Sequence, residues 1–112
     1  MQKETKFKIK VRDALKELSE TGYAIWFTKT QQVSIRGTPD FVLCCNGIFI
    51  ALELKKDDEC GADALQSYNI QRIDKAKGIG LVVSPANWGK VLKTITTLAK
   101  GGKYDRTKFS DN

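Results

Sequence analysis

From Glu4 to about Ser19, apolar residues recur at three- and four-residue steps, with Phe7, Val11, Ala14, Leu15 and Leu18 forming one stripe. That period predicts an amphipathic helix, ended at Thr21-Gly22. Tyr23 to Thr28 is rich in aromatic and β-branched residues and predicts a strand, followed by a polar connection from Lys29 to Pro39. Two apolar runs, Phe41 to Cys45 and Ile48 to Leu54, flank Asn46-Gly47. Such a pair favours a type I′ hairpin turn, because both central residues need positive φ. Lys56 to Gly61 is polar and predicts a loop. Asp63 to Gln66 has the form of a capping box opening a helix, which continues to Ala76 and stops at Gly78. Ile79 to Val83 predicts a short buried strand, and Pro85 falls in the first turn of a last helix carrying Trp88, Val91, Leu92, Ile95 and Leu98. Gly101-Gly102 ends it. Trp26 and Trp88 lie in apolar patterns and are assigned to the core. The order is α-β-β-β-α-β-α, one α/β domain over residues 1–101 with a polar, frayed tail at 102–112.

The hairpin turn sets a register. Counting outward from Asn46-Gly47 pairs Cys45 with Ile48, Cys44 with Phe49, Val42 with Ala51 and Asp40 with Glu53. Alternation then gathers Asp40, Val42, Cys44, Phe49, Ala51, Glu53 and Lys55 on one face, and Phe41, Leu43, Cys45, Ile48, Ile50, Leu52 and Leu54 on the other. The second face is wholly apolar and must be buried, which holds the register against a one-residue slip. Opposed carboxylates repel, since paired Cβ atoms lie only about 5 Å apart. A divalent cation offsets that repulsion, and Lys55 supplies a further positive charge beside it. Read without any cation, the same three residues are an ordinary charged cluster at the open end of a hairpin.

Composition narrows the chemistry. The 112 residues contain no histidine, which excludes Ser-His-Asp and Cys-His hydrolases, HExxH metalloproteases and histidine-based nucleases. Catalysis must therefore use carboxylates, lysine and a hard cation. Cys44, Cys45 and Cys60 show no CxxC spacing, so a structural zinc is not expected; they read as reduced thiols, the first two as small hydrophobes. A net charge of +6 suits a polyanionic partner, with a basic surface kept for solubility as the alternative. No apolar run is long enough to span a membrane and no apolar leader opens the chain, so a cytoplasmic address is expected.

Gly37-Thr38-Pro39-Asp40 followed by Glu53-Leu54-Lys55 resembles the PD-(D/E)xK nuclease superfamily, and more closely its VRR-NUC (virus-type replication-repair nuclease) branch. The resemblance runs from about Glu4 to Ile95 and includes Asn46-Gly47, Leu65-Gln66 and the strand from Gly78 to Val83. It implies a restriction-endonuclease-like core, a mixed central sheet flanked by helices. It also implies Mg²⁺, with Mn²⁺ substituting, held by Asp40 and Glu53 and reached by the backbone carbonyl of Leu54. Lys55 then positions or deprotonates the attacking water, or stabilises charge on the phosphate. Gln66 matches a glutamine beside the catalytic centre of this branch, and it also completes the capping box with Asp63. Glu4 matches a first-helix glutamate that binds a second metal, and is equally an acidic residue suited to a first helical turn. The position after Phe7, often acidic in relatives, is Lys8 here. Lys29, Arg36 and the lysines at positions 3, 6, 8 and 10 are candidate DNA phosphate contacts; Lys29 and Arg36 are the better placed, flanking the approach to Asp40, while most of the N-terminal lysines read as a solvated helix face.

The implied activity is a metal-dependent, structure-selective DNA endonuclease. Stand-alone proteins of this kind, typically phage or prophage encoded, act as homodimers on four-way (Holliday) junctions, where symmetric cuts need two active sites. No organic cofactor and no membrane partner are implied. A flap, nick or non-specific endonuclease is the nearest alternative. A non-catalytic DNA-binding module of the same fold and a basic RNA-binding protein are readings of another class.

Overall fold

The computed structural model describes residues 6–30, 38–55 and 64–103. In chain order these form α1 (Lys6–Ser19), β1 (Ile25–Lys29), β2 (Phe41–Cys45), β3 (Ile48–Leu54), α2 (Ala64–Lys75), β4 (Ile79–Val83) and α3 (Trp88–Ala99). The sheet follows the order β1-β2-β3-β4. Its first two pairings are antiparallel and β3 pairs with β4 in parallel, so α2 is the crossover that a parallel connection needs.

The turn between β2 and β3 has φ of 51° at Asn46 and 83° at Gly47, the two positive values of a type I′ turn. Register is set by it: Cys45 faces Ile48, Val42 faces Ala51 and Phe41 faces Leu52. The strand ladder ends there. Asp40 lies one step beyond it and, instead of extending the backbone pairing, accepts the Leu54 N–H on its side chain.

The apolar hairpin face is buried as its composition requires. Phe41, Leu43, Cys45, Ile50 and Leu52 pack with Ile79, Leu81 and Val83 of β4. Val11, Leu15 and Leu18 of α1 and Trp88, Val91, Ile95 and Leu98 of α3 close over them. The opposite face is covered by α2, whose approach to β4 depends on Gly80. A Cβ at that position would stand 2.7 Å from the Ile70 carbonyl oxygen, closer than real atoms come.

Helix α2 covers only part of its face. Ala51 and Glu53 are buried there, but Phe49 and Cys44 are exposed, and Trp26, in register with Cys44, is 60% exposed. Trp26 is therefore not a core residue, and Cys44 does not act as a buried hydrophobe. Trp88 and Cys45 do belong to the core.

Three boundaries also differ from the sequence pattern. Lys29 closes β1 rather than opening the loop. The left-handed residue ending α2 is Lys77, with φ of 77°, and Gly78 comes after it, donating back to the Ile73 carbonyl. Pro85 lies in a turn before α3 rather than in its first helical turn. There the Asn87 side chain accepts the Ser84 N–H and donates to the Val82 carbonyl, so the helix starts at Trp88.

Candidate active site

The residue that leads into β2, the end of β3 and the start of α2 bring Asp40, Glu53, Lys55 and Gln66 together. Asp40 and Glu53 are the buried charged residues of the described chain, at 4% and 3% exposure. Each is held at several points. The backbone carbonyl of Asp40 accepts the Thr30 N–H at 2.9 Å, and the Thr30 hydroxyl donates to the Pro39 carbonyl beside it. Asp40 Oδ2 accepts the Leu54 N–H at 2.8 Å, while Oδ1 lies 3.1 Å from Lys8 Nζ.

Gln66 joins the other two groups. Its carboxamide donates from Nε2 to Glu53 Oε2 at 2.7 Å and accepts from Lys55 Nζ on Oε1 at 2.7 Å. Lys55 Nζ is itself 3.6 Å from Glu53 Oε2. One amide thereby orients an acceptor and a donor of opposite charge. The remaining carboxylate oxygen, Glu53 Oε1, is buried without a hydrogen-bond partner. Burial first, and the neighbouring Asp40 charge second, push the Glu53 carboxyl up to about 7, with Lys55 pulling the other way.

A buried carboxylate oxygen with no donor, beside a second carboxylate, fits a hard divalent cation, which takes oxygen ligands and offsets like charge. Glu53 Oε1, Asp40 and the Leu54 carbonyl are the oxygen donors on hand. No group of three or more Asp, Glu, His or Cys side chains converges anywhere among the described residues.

Of the other predicted site residues, Lys29 is exposed at the end of β1 and in register with Phe41, which places it on the sheet face opposite Ala51 and Glu53. Glu4 and Arg36 lie outside the described residues, as does Asp63, the partner of Gln66 in the expected capping box. Two further residues touch Asp40: Thr30, which the sequence did not single out, and Lys8, which it offered only as one of several candidate phosphate contacts. Thr30 carried no motif. Lys8 did carry a signal, because with Val11, Leu15 and Leu18 it falls on the core-facing stripe of α1, where a solvated lysine is out of place.

A mixed four-stranded sheet with helices on both faces fits the restriction-endonuclease-like core that the sequence leads one to expect. Among solved structures, a VRR_NUC domain matches with a TM-score of 0.58, over 75% of this chain and 91% of that one, at 23% identity. The chain has the fold of that domain. No protein-family model matches the sequence, and no curated protein does.

Proposed function

We propose that the protein is a divalent-metal-dependent DNA endonuclease. The observation that carries this reading is the buried pair Asp40 and Glu53, locked from opposite sides and leaving Glu53 Oε1 unpartnered. Surface charge clusters are exposed and loosely held, and this one is neither.

Asp40, Glu53 and the Leu54 carbonyl would hold the ion, with Mg²⁺ the natural occupant and Mn²⁺ a substitute. Bound there, such an ion polarises the phosphate and makes water more acidic. The chain's own groups do the rest. Leu54 N–H fixes the Asp40 carboxylate in one rotamer. Gln66 holds the Lys55 ammonium beside the carboxylates, where it orients the attacking water or stabilises negative charge on the phosphate oxygens. The net charge of +6 favours a polyanionic substrate.

Within that class, we assign a structure-selective enzyme acting on branched DNA such as four-way junctions. It works as a homodimer in the cytoplasm of a bacterial or phage-infected cell, because paired symmetric cuts need two sites. The test is cleavage of labelled junction, flap and linear duplex DNA in Mg²⁺. Preferential cutting of the junction is expected. Equal cutting of all three would remove the branched-DNA assignment and leave the nuclease.

A further inference from the structure

The sheet face that carries Glu53 is only partly covered by α2. Beyond the helix, Trp26, Cys44 and Phe49 form one row across three strands, Trp26 in register with Cys44 and Cys44 with Phe49. Both rings stand open, Trp26 at 60% and Phe49 at 47% exposure, and Cys44 between them is exposed too. Single exposed apolar residues are ordinary, but two aromatic side chains in one register row make a contiguous patch of the kind that marks a binding surface.

Position and charge select the ligand. Neighbouring strands lie about 4.8 Å apart, so the two rings are held about 10 Å from each other, with only the small Cys44 side chain between them. Aromatic side chains presented side by side on a sheet are what unpaired bases stack upon, whatever their sequence, because every base has a π-face. Phe49 also precedes Glu53 by four residues on β3, on the same face, which sets the row about 13 Å from the candidate centre along the strand. A stacked strand advances about 3.4 Å per nucleotide, so about four nucleotides of one strand bridge the two.

The rim beside Phe49 is basic. The C-terminal end of α2 reaches β3 here, since a Cβ on Gly78 would stand 3.2 Å from the Phe49 carbonyl oxygen. Arg72, Lys75 and Lys77 are exposed at that end and outnumber Asp74 in the same turn. Phosphates are drawn to such a rim, whereas a second copy docked on this face brings like charges together.

We propose that Trp26 and Phe49 form a stacking platform for an unpaired DNA strand that runs on to the Asp40–Glu53 centre. This deepens the nuclease reading and rests on it for the choice of ligand. Unpaired bases, as at a branch point, offer free faces to the platform, whereas those of a continuous duplex are already stacked on one another. Trp26 and Phe49 thus favour the substrate in which bases are open beside the cut.

The test is binding of a short oligothymidylate to the full chain in the presence of a chelator, followed by tryptophan emission and by the anisotropy of dye-labelled oligonucleotide. Trp88 is buried, so quenching by a stacked base reports on Trp26. Wild type is expected to be quenched on binding, Trp26→Ala and Phe49→Ala each to bind about ten-fold more weakly, and Phe49→Tyr to stay near wild type. Unchanged affinity in both alanine variants, or bound oligonucleotide that leaves Trp26 emission unchanged, overturns the proposal. So does a wild-type dimer that Trp26→Ala converts to monomer in analytical ultracentrifugation, which would give the row to a second copy. Should circular dichroism show that an alanine variant is unfolded, maleimide labelling of Cys44 in Cys60→Ser protein decides: protection by the oligonucleotide is expected, and unimpeded labelling overturns the proposal. Cleavage plays no part in these measurements, so a protein that cuts DNA but fails them loses only the platform. One that binds as expected and never cuts loses only the nuclease reading.

Discussion

The Gln66 carboxamide stands between two charges, donating to Glu53 Oε2 and accepting from Lys55 Nζ, each at 2.7 Å. A side chain present only to cap α2 would have no need of either bond. Gln66→Ala leaves both charged groups without their orienting partner. We expect its Mg²⁺-dependent cleavage rate to fall about 10–100-fold, as supporting residues of metal sites do when removed. Its melting temperature is expected to change little. A wild-type rate in Gln66→Ala, with a lowered melting temperature, would assign the residue to the helix instead.

Glu53 couples the site to stability. Its carboxyl is pushed from 4.5 up to about 7, chiefly by burial, so the native state holds this proton more tightly than the unfolded chain. The stability it contributes is fully present below the unfolded value and is lost as pH rises through the native one, a window from 4.5 to about 7. Glu53→Gln cannot ionise. In thermal melts without metal it should exceed wild type at about pH 8 and match it at about pH 4. An equal difference at both pH values contradicts the assignment of the shift to Glu53.

Gly80 links the packing of α2 to the chemistry. In Gly80→Ala the new Cβ would meet the Ile70 carbonyl oxygen at 2.7 Å, and a helix backbone cannot swing aside as a side-chain end can. The substitution should cost about 1–3 kcal/mol in urea unfolding. Because α2 also carries Gln66, cleavage should fall with it. Retained stability would mean that α2 sits further from the sheet.

Trp26 and Phe41 make a contrasting pair, both aromatic and both in strands. Phe41 is fully buried against Phe27 and the rest of the core, whereas Trp26 is 60% exposed. Phe41→Ala should cost about 3–5 kcal/mol and Trp26→Ala less than about 1 kcal/mol by the same unfolding measurement. Comparable losses would place Trp26 in an interface or core after all.

Local chemistry made the hairpin legible. Asn46-Gly47 specifies the turn, the turn specifies the register, and an all-apolar face leaves no alternative to it. The carboxylates could be located because Asp40 and Glu53 sit where two otherwise apolar strands end. Trp26 could not be placed this way, since its exposure depends on how far α2 extends over the sheet rather than on the strand that carries it. Lys8 was hidden differently. Among several N-terminal lysines it has the same residue type as its solvated neighbours, and only its angular position on α1 sets it apart. Helix ends were the other weak point, because Lys77 adopts the left-handed conformation usually left to glycine.

The most direct test of the central claim is cleavage of labelled branched DNA by purified wild type and by Lys55→Met, with Mg²⁺ and with a chelator. Wild type is predicted to cut only when the ion is present. Lys55→Met, still folded, is predicted to be slower by about 100-fold or more. Wild type that binds the DNA yet cuts it in neither Mg²⁺ nor Mn²⁺, or a Lys55→Met variant that cuts at the wild-type rate, would contradict the assignment of Asp40, Glu53 and Lys55 to a metal-dependent nuclease centre.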